Sequence, residues 1–232
     1  LTPQVPDEHT VSLWTFSAEE PLRDMSGNGH SAALSGLAIA VGGAIEIPDP
    51  DIDAVEAERS LISYEHDLNS DFDALTVEFD FSPSAQIVDD LAFHGVLFGN
   101  RPDYNLRSGD SGLEPGIVAV FGSTWNGGSG PRSLQFLVSD GTTVLTASSD
   151  PLDWTPGAMS RLAFVIDPKN ELISISFNGK EIASQTGEYF DWQKALDLAG
   201  RSLIFGNRVM ATYTPVPGRY SNILVMNVAK SN

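Results

Sequence analysis

Leu75-Thr76-Val77-Glu78-Phe79-Asp80-Phe81 makes every second side chain apolar and the ones between polar. Successive side chains of a β-strand point to opposite faces, so Leu75, Val77, Phe79 and Phe81 share one face while Thr76, Glu78 and Asp80 share the other. A helix of these residues would scatter the apolar groups around its circumference. The stretch reads as an antiparallel strand with one buried face. Leu172-Ile173-Ser174-Ile175-Ser176-Phe177 repeats the pattern with serines on the polar side.

Outward from these two runs, short β-type segments recur between Gly, Pro, Asn and Asp. They fall at 11–16, 44–47, 75–81, 95–98, 117–121, 134–139, 143–147, 161–166, 172–177, 202–205 and 222–227. Asn178-Gly179 follows one alternating run and precedes another, a hairpin signal because both residues accept positive φ. Helical patterning is confined to 51–58 and 190–198, each enough for a short helix. Strands do not alternate with long amphipathic helices, so a parallel α/β sheet is excluded. The pattern implies an all-β, antiparallel two-sheet jelly-roll sandwich, one domain over 1–232 with its core at about 11–231. Two long loops, 99–115 and the Gly-rich 122–131, interrupt it without a linker.

Composition narrows the function. The chain has 232 residues, 31 acidic and 13 basic, for a net charge of −18, and no cysteine. A chain of this length buries enough surface to fold without a staple. Thiol catalysis, thiolate metal sites and disulfides are excluded. The charge disfavours nucleic acid and anionic membrane surfaces as partners. No apolar run reaches the length of a membrane span. The chain opens on Leu1 with Asp7 and Glu8 close behind, not on a leader, so a trimmed or mature form is expected.

Four segments in order resemble the laminin-G-like or concanavalin-A-like jelly roll. Leu13-Trp14-Thr15-Phe16, then Asp24-Met25-Ser26-Gly27-Asn28-Gly29-His30, is similar to the family's opening strand and D-x-S-G-N-G turn. Ala74 to Pro83 resembles its second motif. Arg161 to Asp167 with Ile175 to Lys180 resembles its third, and Ser202 to Arg208 with Asn222 to Ala229 its last. The resemblance implies two packed antiparallel sheets of about five to seven strands each, and a protein that is secreted, periplasmic or displayed at the cell surface.

The Asp24 turn is the first candidate site. Calcium takes about six to eight oxygens, and a glycine turn offers a carboxylate with several carbonyls. The resemblance implies a structural calcium held by Asp24, Gly27, Asn28 and His30, completed by Asn222 near the final strand. The alternative is a metal-free turn in which Asp24 accepts backbone N–H groups. Asp49, Asp51 and Asp53 alternate like the start of an EF-hand loop, but Ala54 stands where its glycine belongs.

Glu78-x-Asp80 matches the beginning of the E-x-D-x-x-E motif of glucanases on this fold. Retaining hydrolysis needs two carboxyls about 5 Å apart, and position 83, where the second belongs, is Pro83. Gly109-Asp110-Ser111-Gly112 is similar to a serine-protease loop, yet none of the four histidines occupies a base motif. The expectation is a binding module without catalysis.

Aromatic faces stack on sugar C–H groups, and arginines donate to sugar hydroxyls. Trp125, Tyr104, Arg101, Arg107, Arg208 and Tyr213 lie in loops and form the candidate ligand-binding set, whereas Trp14 and Trp154 sit in or beside strand patterns and are expected in the core. The alternative for the arginines is loop pinning through ion pairs. Carbohydrate is the expected partner. A protein–protein or adhesion module, part of a larger surface protein, is the first rival; an unfamiliar polysaccharide-active enzyme is the second.

Overall fold

A computed structural model describes residues 4–49, 59–64, 72–101, 112–122, 127–198, 201–207 and 215–230. Its strands, in chain order, are β1 (Thr10–Trp14), β2 (Ala32–Ser35), β3 (Ile39–Val41), β4 (Ala44–Ile47), β5 (Leu61–Tyr64), β6 (Leu75–Pro83), β7 (Gly95–Gly99), β8 (Pro115–Phe121), β9 (Leu134–Asp140), β10 (Val144–Ser148), β11 (Ser160–Asp167), β12 (Leu172–Phe177), β13 (Lys180–Thr186), β14 (Ile204–Phe205) and β15 (Gly218–Met226). Two short helices, α1 (Ala85–Asp89) and α2 (Trp192–Ala195), and a 3₁₀ turn at Pro168–Asn170 complete the described elements. The second helix falls inside the expected 190–198; the expected helix at 51–58 lies outside the described residues.

All pairings are antiparallel and build two sheets. One is 8-stranded in the order β13-β12-β11-β6-β15-β4-β3, with β1 also on β15; the other is 7-stranded, β10-β9-β8-β7-β14-β5-β2. The larger sheet exceeds the expected strand number because β15 carries two partners on one edge. Its first residues pair with β4 and its last with β1. Between them the register against β6 shifts from Ser221 to Leu224, and Asn222 takes a positive φ of 48°. A bulge of this kind kinks a strand and re-aims its side chains.

The inward faces meet in one core. Phe79 lies about midway along β6 and stacks on Phe164 and Tyr220 within its own sheet, ring centres 6.0 Å away in each case. Phe98 and Phe205 of the facing sheet approach it edge-on. Trp14, in β1, and Trp154, in the connection between β10 and β11, are both buried. Each such ring contributes roughly 1.5–3 kcal/mol through burial. The Asn178-Gly179 hairpin forms as read, with φ of 51° and 78°, and joins Phe177 to Lys180.

The outward face of β6 departs from a simple alternating strand. All nine residues of the strand are buried, the polar ones included. Described residues from the first and last segments pack against it: Gln4 reaches Glu78, Thr76 donates to the Val228 carbonyl, and Lys230 returns to Thr76 and Glu78.

Candidate functional site

On that outward face Glu78 and Asp80 are 4% and 2% exposed. A buried carboxylate is costly unless it is paired and hydrogen-bonded. Antiparallel register places Arg161 directly across from Asp80, and its guanidinium binds both carboxylate oxygens, Nε at 2.8 Å and Nη2 at 3.0 Å. Asn222, turned by its bulge, donates its amide to Asp80 at 2.7 Å. Glu78 accepts from Gln4 at 2.6 Å and from the Lys230 ammonium at 2.7 Å, with Arg161 Nε at 3.6 Å. Two acids are thus balanced by two bases. Bonding to Asp80 is the leading cause that raises the Arg161 pKa, against the opposing effect of burial.

A groove of about 750 Å³ opens beside this network, where Lys230 forms part of its wall. Asp73, the 3₁₀ turn with Asp167 and Lys169, and Glu181 of β13 line it, while Val165, Ser174 and Val228 contribute to its surface. Asp167 caps the 3₁₀ turn, accepting the Asn170 N–H at 3.2 Å and its side-chain amide at 2.7 Å. Among the described residues the side chains of Asp73, Lys169, Ser174 and Glu181 make no hydrogen bond or ion pair. The groove therefore offers an ammonium, a hydroxyl and two carboxylates for use by a ligand, beside apolar side chains.

The Asp24 turn is built differently from a cation cage. Oδ1 of Asp24 accepts N–H groups from Leu13 (3.0 Å) and Ser26 (2.9 Å); Oδ2 accepts the Ser26 hydroxyl (2.7 Å) and the His30 N–H (3.0 Å). Burial opposes ionisation, but these donors outweigh it and hold the carboxyl below its ordinary range. Asn28 donates its amide to the Thr10 and Val11 carbonyls, Trp14 donates to the His30 carbonyl, and the His30 ring packs edge-on against Tyr64. Gly27 and Gly29 supply positive φ of 87° and 81°. Asn222 is engaged at Asp80. Four hydrogens already point at the one carboxylate of the set expected around calcium, and the residue expected to complete it is turned to Asp80. The residues as placed do not fit the ion, and no group of three His, Asp or Glu converges among the described residues.

Of the expected ligand-binding set, Arg101 lies among the described residues; Tyr104, Arg107, Trp125, Arg208 and Tyr213 lie outside them, as do Asp51 and Asp53 and all but Gly112 of the 109–112 loop. Arg101 pairs with Glu114 and shares the Pro115 carbonyl with Arg201, which donates at 2.7 Å. Burial, then the neighbouring Arg201, lowers its pKa, with Glu114 opposing them. These contacts pin the end of β7 to the start of β8, the structural alternative for this arginine. The groove residues Ser174, Lys169 and Glu181 were not singled out in the sequence. Their signal is a strand register, and register joins positions far apart in the chain.

No protein-family model matches the chain, and no curated protein matches it. Solved structures do resemble it. Domain 4 of AbnA, a GH43 extracellular arabinanase from Geobacillus stearothermophilus solved with arabinotriose, superposes with a TM-score of 0.62 at 17% identity, over 96% of this chain and 94% of that one. The binding domain of botulinum neurotoxin serotype D gives a TM-score of 0.66 at 8% identity over 96% of this chain, which spans 48% of that domain. The CBM40 of the Ruminococcus gnavus IT-sialidase, bound to α2,6 sialyllactose, gives 0.52 at 12% identity over 87% and 94%. At these identities the likeness is one of fold. The chain has the all-β, two-sheet, jelly-roll-like architecture of these domains.

Proposed function

We propose that this chain is a non-catalytic carbohydrate-binding module of the laminin-G-like or concanavalin-A-like group, acting outside the cell, and that it seats a glycan in the groove beside Lys230. The observation that carries the reading is the groove's inventory: Asp73, Lys169, Ser174 and Glu181 are unpaired around an opening of about 750 Å³ that also has apolar walls. Saccharides present hydroxyls and C–H faces together, and sites for them combine a few placed polar groups with apolar surface. Two proteins of the same fold were solved with arabinotriose and with sialyllactose. The ordered motifs around Asp24, Leu75, Arg161 and Ser202 support the group assignment.

The engagement of Glu78 and Asp80 supports the non-catalytic reading. Both acids are committed to Arg161, Lys230 and Asn222, and a carboxylate so held would have to break a buried pair to attack a substrate or exchange a proton. Isothermal titration with arabinotriose and with sialyllactose, backed by a glycan array, tests the reading. Binding of at least one saccharide, weakened roughly tenfold in Ser174→Ala or Glu181→Gln by loss of one hydrogen bond to the ligand, is the expected result. A protein that binds no saccharide, or variants with unaltered affinity, would remove the groove from consideration.

A further inference from the structure

Tyr189 is 92% exposed, and its φ is 65°. The two facts are at odds with an ordinary surface tyrosine. It occupies the third position of a four-residue turn closed by the Phe190 N–H on the Gly187 carbonyl, 3.3 Å. Positive φ at that position favours glycine or asparagine, and a bulky side chain there is strained. The turn itself is firmly seated. Phe190 is buried against Trp192, ring centres 4.8 Å apart, and the Gly187 N–H binds the Glu171 carbonyl at 2.9 Å. That last bond ties the turn to the chain that runs from the 3₁₀ turn into β12, the same stretch that forms one edge of the groove. The scaffold therefore holds both faces of an aromatic ring in solvent, in a conformation the ring disfavours, on a turn tied to the segment that edges the groove. Strain retained at an exposed aromatic points to use of the ring.

We infer that Tyr189 is a stacking platform for the C–H face of a neutral sugar ring, extending the groove's binding surface; the inference rests on the carbohydrate reading above. Glu188 and Glu171 flank the phenol. Their oxygens suit sugar hydroxyls, and their charge, in a chain of net −18, repels a carboxylate-bearing sugar. The platform thus selects neutral over acidic saccharides.

Four full-length proteins test this: the parent, Tyr189→Phe, Tyr189→Ala and Tyr189→Gly, each titrated with arabinotriose and with sialyllactose and each melted without ligand. The expected result is arabinotriose binding by the parent and by Tyr189→Phe, a loss of roughly tenfold in Tyr189→Ala and Tyr189→Gly, and much weaker sialyllactose binding throughout. Tyr189→Gly is expected to melt no lower than the parent, because it relieves the turn. Arabinotriose binding that survives in Tyr189→Ala overturns the platform while leaving the groove intact. Preferential sialyllactose binding overturns the neutral selectivity. A marked fall in the melting temperature of Tyr189→Gly would make the ring a structural part of the fold. A parent that binds neither sugar defeats both this inference and the carbohydrate reading.

Discussion

Arg161 grips both oxygens of Asp80 from the facing position on the neighbouring strand, at 2.8 and 3.0 Å. The two side chains are 18% and 3% exposed, so most of the pair is out of water. Removing one member leaves a buried charge with Asn222 as its remaining partner, and such losses cost about 3–5 kcal/mol. Arg161→Met is therefore expected to unfold at a markedly lower urea concentration. Replacing Asp80 by Leu in the same protein should restore much of the difference, since a buried pair exchanged for apolar groups is often near neutral. Equal stability of Arg161→Met and the parent would contradict the pairing.

Asp24 carries the clearest pH dependence. Its folded pKa lies below its ordinary value because the Leu13, Ser26 and His30 donors outweigh burial. A depressed carboxyl contributes stability that is fully present above its unfolded pKa, about 3.9, and lost as pH falls through the still lower folded value. Asp140 behaves alike: burial opposes, but the Thr143, Thr142 and Asp191 N–H groups and Lys194 prevail. Acid unfolding is expected to steepen below about pH 4. Asp24→Asn should lower stability at neutral pH and flatten that acid limb, as measured by urea midpoints across pH.

Much of this architecture is legible in the chain. Alternation in 75–81 and 172–177 places β6 and β12, and Asn178-Gly179 places the hairpin turn that leaves β12, because these signals are local. The hairpin signal implies a strand after Asn178-Gly179, but the bounds of β13 (Lys180–Thr186) do not show, because it is a mostly exposed edge strand with little apolar pattern. β2, β3 and β5 are missed too; β2 and β3 are short and turn little apolar surface inward, so they carry no buried face to read. Asn222 resembles a calcium ligand by its place near the final strand, yet a bulge sends its amide to Asp80. The partnership of Glu78 with Gln4 and Lys230 spans separations of 74 and 152 residues. Only the folded sheet reveals that Gln4 and Lys230 meet on one strand.

The Asp24 turn yields a metal prediction. Since four donors already saturate the carboxylate, calcium added to chelated protein is expected to leave the melting temperature unchanged. A ligand that binds only the folded state raises stability with its concentration. A calcium-dependent rise would show that the turn rearranges into an oxygen cage.

Glycines separate two kinds of constraint. Gly27, at φ 87°, has no atom within 4 Å of the place a Cβ would take, so Gly27→Ala pays only for the left-handed backbone, about 1–2 kcal/mol. Gly122, at φ 76°, would put a Cβ 2.2 Å from the Phe93 carbonyl oxygen. Backbone cannot yield there without disturbing the residue that follows β8, where the Gly122 N–H binds the Ser133 carbonyl at 2.9 Å. Gly122→Ala therefore combines the same conformational strain with a steric clash, which adds roughly 1–3 kcal/mol. Denaturation of the two variants side by side should rank Gly122→Ala clearly the weaker. An equal loss in both would mean that the Phe93 segment moves aside without cost and is not held where the fold places it.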